Sequence, residues 1–523
     1  MSAGLEAAGA GLAAAFTGAR LGWCCFGALT GLVVGLLPGI GPLAAIALLL
    51  PGVPALDAAS ALVLLAAVHY GAQVGSSTSA ALAGGEAGRL ASPGAHAAGA
   101  FVSGTLATVV LAIGLPALAG VGALTGAAKS FALMALALVA SLALGSGSLS
   151  RSAGMLLLGL MLGEVDHDVT SGSAGLPVPA PGISRGTAFV GLAVGLFAIG
   201  GVLARAVQGP GQRPDPPAPG EPASDAGLGG DEVPGQAPVV DRREDSGAGA
   251  RPANPLQAWW RAVRPPARSE LARIAPAVLR GTLAGVAIGM LPGRGPRLAA
   301  RVTGWLVLRL DRGARPAGHD AADALLAAES AHQAASQASL LPLLALGIPV
   351  NAVTALMAGA LALRGLSPGP PFAAAAPELP WLVIGSMALG QILLLLFNAP
   401  LLVVWRRLWN IPQWVFMPVV VVAAGAGLYA MAANPMDVFA GAFFGLAGVL
   451  LMKLGCDPAP LLLAFVLGPA MQARLREALA QGQGDWSVFV TRPLSAVALF
   501  ACLAILCVIW LPSVRARRDA LFR

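Results

Sequence analysis

Long apolar runs separated by short polar connections dominate the chain, and no run alternates with a period of two. Stretches near the roughly 20 residues that cross a bilayer as a helix recur at about residues 21–50, 58–74, 98–118, 124–144 and 187–206. They resume at 270–290 and 340–363, then at 382–405, 415–431, 436–452, 459–471 and 494–511. Continuous apolar runs exclude a β-barrel, whose strands alternate lipid-facing and lumen-facing residues. The pattern predicts an all-α polytopic membrane protein of about 11–14 membrane segments.

One phrase inside this pattern occurs twice. GALTGLVVGLLPGIGP begins at Gly27 and GTLAGVAIGMLPGRGP begins at Gly281, an offset of 281 − 27 = 254 residues. Within it Gly27, Gly31 and Gly35 recur as Gly281, Gly285 and Gly289, and Pro38, Gly39, Gly41 and Pro42 recur as Pro292, Gly293, Gly295 and Pro296. Small residues four apart let a second helix approach closely. Proline lacks a backbone N–H and clashes with the preceding turn, so Pro38 and Pro292 stop or kink each helix. Broken backbone at membrane depth must sit in protein or line a wet cavity. Paired breaks in two halves point to a binding site. The expected organisation is an N-terminal segment 1–20, a first transmembrane repeat 21–206, a disordered Pro/Gly-rich linker 207–268, a second repeat 269–512 and a basic tail 513–523. The two halves are expected to be inverted repeats with broken or re-entrant helices.

Three polar insertions interrupt the apolar pattern. The first is Ser76, Ser77, Thr78 and Ser79 beside glycines, read as a hydroxyl lining for a polar ligand rather than as hydroxyls bonded back to helix carbonyls. The second, GLMLGEVDHDVTSG, carries Glu164, Asp166, His167 and Asp168 and is read as a loop at a helix end. The third is AAESAHQAASQASLLPLLALGIPVNAVTAL. It brings Glu329, His332, Gln333, Ser336 and Gln337 to an apolar segment broken at Gly347-Ile348-Pro349, followed by Asn351 and Thr354. Polar groups at membrane depth are costly and usually functional. Half-helix ends can offer N–H groups to an anion and C=O groups to a cation. Glu329-x-x-His332 stands alone, whereas di-iron bundles need two such motifs and further carboxylates. No metal set and no nucleophile–base pairing can be assembled, so no enzyme activity, metal or cofactor is expected.

Composition agrees with this picture. The chain is 57% hydrophobic and only 11% charged, against about 25% charged in soluble domains. The net charge of +7 does not imply nucleic-acid binding, because arginines cluster in the linker and tail, where positive-inside bias places them. Cys24, Cys25, Cys456, Cys502 and Cys507 lack metal-ligand spacing and are read as packing residues. No cleavable signal is apparent in residues 1–20.

On LPGIGP and LPGRGP, YGAQVGSSTSA, GLMLGEVDHDVTSG, LFAIGGVL, LPLLALGIP, GLSPGP and KLGCDPAPLLLAFVLGPAM, the chain resembles the large membrane subunit of the tripartite tricarboxylate transporter (TctA) family. The resemblance implies a permease importing small di- or tricarboxylates, driven by a sodium or proton gradient. It also implies two partners, a periplasmic solute-binding protein and a small four-helix membrane subunit, and a multi-pass location in the bacterial inner membrane. In this reading Ser76, Ser77, Thr78, Ser79, Arg294, His332, Gln333, Asn351 and Thr354 contact substrate. Backbone near Pro38, Gly39, Gly41, Pro292, Gly293, Gly295, Gly347 and Pro349 serves anion and coupling ion. Arg294 would add a charge-assisted bond to a carboxylate. The family's first-half run is shortened here to GSSTSAALAGGE, and Val350 follows Gly347-Ile348-Pro349 where the family has glycine. These departures leave a non-transporting scaffold of the same family as the alternative.

Overall fold

The computed structural model describes residues 2–36, 41–83, 93–123, 126–145, 148–165, 185–208, 267–310, 319–366, 369, 376–409, 413–511 and 514. Pro38, Gly39, Asp166, His167, Asp168, residues 209–266 of the linker and nearly all of the basic tail lie outside the described residues. No strand occurs among the described residues. Eight of the described helices are long and apolar enough to cross a membrane, and four further apolar helices are shorter.

The first half runs α1 (Ser2–Ala15), α2 (Gly18–Leu36), α3 (Pro42–Leu49), a 3-10 turn (Leu50–Ala55), α4 (Ala58–Ala83), α5 (Pro93–Ala123), α6 (Ala127–Ala143) and α7 (Leu149–Val165). It closes with α8 (Arg185–Ala193), a π-helical turn (Val194–Ile199) and α9 (Gly200–Gln208). The second half runs α10 (Arg268–Gly289), α11 (Gly295–Leu310), α12 (His319–Ala338), α13 (Leu340–Leu346), α14 (Ala352–Leu363), α15 (Glu378–Trp409), α16 (Gln413–Ala432) and α17 (Pro435–Lys453). It ends with α18 (Ala459–Gln481), α19 (Val488–Thr491) and α20 (Pro493–Trp510).

The repeated glycines set the packing of both halves. A Cβ on Gly27, Gly31 or Gly35 would collide with the carbonyls of Leu64, Val68 or Ala72 on α4. A Cβ on Gly281, Gly285 or Gly289 would collide with backbone at Ala327, Ala331 or Ala335 on α12. Each LPGxGP helix therefore lies backbone to backbone against the next long helix of its half, which is the use of small residues at spacing four. In the second half the break falls at Pro292, and in the first half α2 and α3 flank residues 37–40, which lie outside the described residues. α2 ends at Leu36 and α3 begins at Pro42, while α10 ends at Gly289 and α11 begins at Gly295.

α12 is too polar to count as a membrane span, yet its described side chains are almost all buried. It sits at the centre, enclosed by α4, α5, α10, α11 and α13. α15 packs across the first half, where Tyr70 Oη donates to the Ser386 carbonyl at 2.9 Å and lies 3.2 Å from Cys24 Sγ. α1 packs on the start of α15, with Gly11 against Glu378 and Trp381. The sequence reading assigned no helix there.

Candidate functional site

The site is a cavity of about 150 Å³ between the two halves. Its walls contain matching pieces of both repeats, Gly41, Pro42 and Leu43 from the first and Gly293, Arg294, Pro296 and Arg297 from the second. His69 and Gln73 of α4, His332 of α12, Asn351, Ala352 and Val353 at the start of α14, and Asp457 through Pro460 at the start of α18 complete much of the lining. Leu196 and Phe197 of the π-helical turn and Arg205 of α9 form another wall. A π turn widens a helix locally and is frequent at functional sites.

Four helices, α3, α11, α14 and α18, thus begin at one cavity. The first N–H groups of a helix have no intrahelical acceptor, and each N-terminus carries roughly half a positive charge. At α14 the account can be followed atom by atom. The Asn351 side chain accepts from Thr354 N at 2.9 Å, and Thr354 Oγ1 accepts from Val350 N and Asn351 N at 3.0 Å each. This capping box engages Val350, Asn351 and Thr354. Its bonds do not use the N–H groups of Ala352 and Val353, both cavity residues.

The two breaks of the second half are fastened together. Gly293, at φ +113°, donates its N–H to the Val350 carbonyl at 2.7 Å. Gly347 ends α13 at φ +73°, a left-handed conformation that side chains disfavour. Arg294, projecting from this turn, bonds Asp457 through Nη2 at 2.6 Å. Asp457 Oδ1 also accepts from Ala459 N, the first amide of α18, at 3.0 Å. Asp457 lies in the connection 454–458, outside the eight candidate spans. Burial pushes its carboxyl up, and the Arg294 guanidinium, the Ala459 amide and Arg297 more than offset this, holding it below the ordinary value of 3.8.

The halves also meet reciprocally. His69 Nε2 donates to the Ser336 carbonyl at 3.1 Å, and His332 Nε2 donates to Gln73 Oε1. The offsets are equal, 332 − 69 = 336 − 73 = 263, so the second contact is the first with the halves exchanged.

The residues singled out in sequence divide as follows. Gly41, Gly293, Arg294, His332 and Asn351 line the cavity. Gly295 begins α11, and Pro292 lies in the turn before it. Thr354 is buried in the capping box, and Gly347 and Pro349 shape the break behind it. Ser76 Oγ donates to the Gln73 carbonyl at 2.9 Å, Ser77 is buried without a hydrogen-bond partner, and Thr78 Oγ1 donates to Asn398 Oδ1 at 3.2 Å. These three and Gln333 are buried away from the cavity lining. The Ser79 side chain lies outside the described residues. His69, Gln73, Arg205 and Asp457 are cavity residues that the sequence reading did not single out. One signal existed for the first two, since VHYGAQVGS aligns with AHQAASQAS at the offset of 263.

The fold and the cavity define a multi-pass helical membrane protein with a central, electropositive site built from broken helices. The tripartite tricarboxylate transporter TctA family matches residues 21–92 and 83–463. The chain belongs to that family. It is 36% identical over 530 residues to an uncharacterised 52.8 kDa protein of the TAR-I ttuC' 3' region of Agrobacterium vitis, covering 98% of this chain and 97% of that protein. It is 41% identical over 238 residues to an uncharacterised protein of the TAR-II ttuC' 3' region of the same organism, covering 46% of this chain and 98% of that protein. No solved structure matches.

Proposed function

We propose that the chain is the large permease subunit of a binding-protein-dependent secondary transporter that imports small organic di- or tricarboxylates. A periplasmic solute-binding protein would deliver the anion, a small four-helix membrane subunit would complete the complex in the bacterial inner membrane, and a sodium or proton gradient would drive uptake. One observation carries the reading. Four helix N-termini, Arg205, Arg294 and Arg297 converge on one cavity whose only carboxylate among the described lining residues is Asp457. Such a wall favours an anion over a neutral or cationic solute. The end of α6, with Ser141 and Gly145 in the lining, adds carbonyl character suited to a coupling cation. The same reading takes the halves as inverted repeats. The reciprocal His69–Ser336 and His332–Gln73 contacts support it, because contact order runs oppositely along α4 and α12.

The test is uptake of labelled citrate and smaller dicarboxylates into proteoliposomes holding this chain and both partners, under an imposed sodium or proton gradient. Gradient-dependent uptake that Gly347→Leu abolishes is the expected result. Intact complex with no uptake across the panel would favour the scaffold alternative.

A further inference from the structure

The polar face of α12 extends beyond the cavity. One turn before His332, Glu329 Oε2 lies 2.7 Å from His96 Nδ1 on α5, with the two side chains 11% and 8% exposed. Around this contact hydrogen-bonding capacity is left over. Glu329 Oε1, His96 Nε2, the neighbouring Ser330 Oγ and both ends of the Gln333 amide are buried without a partner in the protein. Gln333 follows Glu329 by one turn and so shares its face. Neither His96 nor Glu329 lines the cavity.

A carboxylate withdrawn from water is expensive unless a cation and hydrogen bonds match both oxygens. Here one oxygen meets an imidazole and the other meets nothing. Adding a hydrogen ion removes the mismatch, because carboxylate plus neutral imidazole becomes a pair of zero net charge. In the tautomer that bonds the carboxylate, Nδ1 already donates its hydrogen to Oε2, so the added proton binds the unpartnered His96 Nε2 or Glu329 Oε1, and no other bond changes.

Among the described residues, the neighbouring helices show no other counter-charge paired with these two side chains. On α10, Arg273 is committed to Asp323 at 3.2 Å, Glu270 is half-buried and Arg280 is exposed. On α11, Arg301 and Arg309 are exposed and Arg297 belongs to the cavity wall. α4 contributes His69, and α12 itself contributes His332, both at the cavity. The first-half counterpart of Glu329, at 329 − 263 = 66, is Ala66. The pair therefore occurs once, outside the two-fold pattern of the cavity.

We propose that His96 and Glu329 form a proton-binding site that takes up one proton per chain and is coupled to the cavity through the single helical turn separating Glu329 from His332. The coupling rests on the anion-carrier reading, whereas the proton site does not.

Two measurements separate them. Acid–base difference infrared spectra of the purified full chain in nanodiscs should show a carboxyl or imidazole change that disappears in both Glu329→Gln and His96→Gln and survives in Asp323→Asn. A signal that persists in the first two variants, or none in the wild type, overturns the proton site. In proteoliposomes with both partner subunits, Glu329→Gln should lose the response of dicarboxylate uptake to an inward pH gradient while anion exchange at equal pH continues. A retained gradient response overturns the coupling. Absence of both uptake and exchange in the wild type would refute the carrier reading, and the infrared result would then decide the proton site alone.

Discussion

If the cavity takes a carboxylate as proposed, Asp457 already holds the Arg294 guanidinium that the substrate would use, so the two should compete. The Arg294–Asp457 contact is 2.6 Å long, with side chains 23% and 10% exposed. A hydrogen bond to a charged group is worth about 1.5–3 kcal/mol. Because Arg294 is partly open to solvent, the lower end applies, about 1.5 kcal/mol, or close to tenfold in an equilibrium constant. Asp457→Asn should therefore tighten dicarboxylate binding by about tenfold, because Arg294 no longer has to leave an internal partner. Arg294→Ala should weaken binding by at least as much and should do so more than Arg297→Ala. The double variant Arg294→Ala/Asp457→Asn should bind as weakly as Arg294→Ala while recovering stability, since no buried carboxylate is left unmatched. Calorimetric titration of a dicarboxylate into purified protein reads the affinities, and thermal unfolding reads the stability. Equal effects of the two arginine variants, or weaker binding in Asp457→Asn, would refute the reasoning.

The same pair has a pH signature. Its folded carboxyl lies below the ordinary value of 3.8, so its contribution to stability is complete above that value and is lost as pH falls through the folded pKa. In Arg294→Ala the acid limb of an unfolding titration should move to higher pH, and an unmoved limb would count against the pairing. Asn351→Ala removes the α14 capping box and should cost about 1 kcal/mol of stability. Asn351→Asp should keep the cap but weaken anion binding by placing a negative charge in the cavity wall, and thermal unfolding with anion titration tells the two effects apart. Gly285→Val should cost about 1–3 kcal/mol by overpacking α10 on α12 and lower the monodisperse yield in gel filtration. Gly22→Val, whose Cβ would meet nothing within 4 Å, is the control.

The legible parts of the chain were those with local causes. The second Leu-Pro-Gly phrase ends α10, because proline removes a donor wherever it sits. The glycine spacing before both such phrases predicted close helix packing, and Leu64, Val68, Ala72 and their counterparts are the backbone they approach. The capping role of Asn351 and Thr354 was less plain, because the same side chains could have faced a ligand. Asp457 could not have been paired with Arg294 from sequence, since 163 residues separate them and no pattern links the two. His69 and Gln73 were obscured by a slip of register. The LPGxGP phrases repeat at 254 and the polar helices at 263, so a search at the first offset misses the second. The π-helical turn before Arg205 carries no polar signal, only LFAIGG within an apolar run.

Repetition and divergence contribute different things to the cavity. Pro42 and Pro296 are counterparts, the first opening α3 and the second following Gly295 at the start of α11, and both line the cavity. The charges do not repeat. At the offset of 254, Arg294 corresponds to Ile40 and Arg297 to Leu43. The second-half wall thus carries two guanidinium groups and the first-half wall offers the N-terminus of α3 with apolar neighbours. On the proposed function, an anion would meet a directional guanidinium site on one side and a weaker dipolar one on the other. A molecule with two unlike ends, one carboxylate and one less charged group, would be oriented by that difference. Asp457, just before α18, and Arg205 of α9 also line the cavity, and neither comes from an LPGxGP phrase. The repeat thus builds the cleft, and the residues that break the repeat give it polarity.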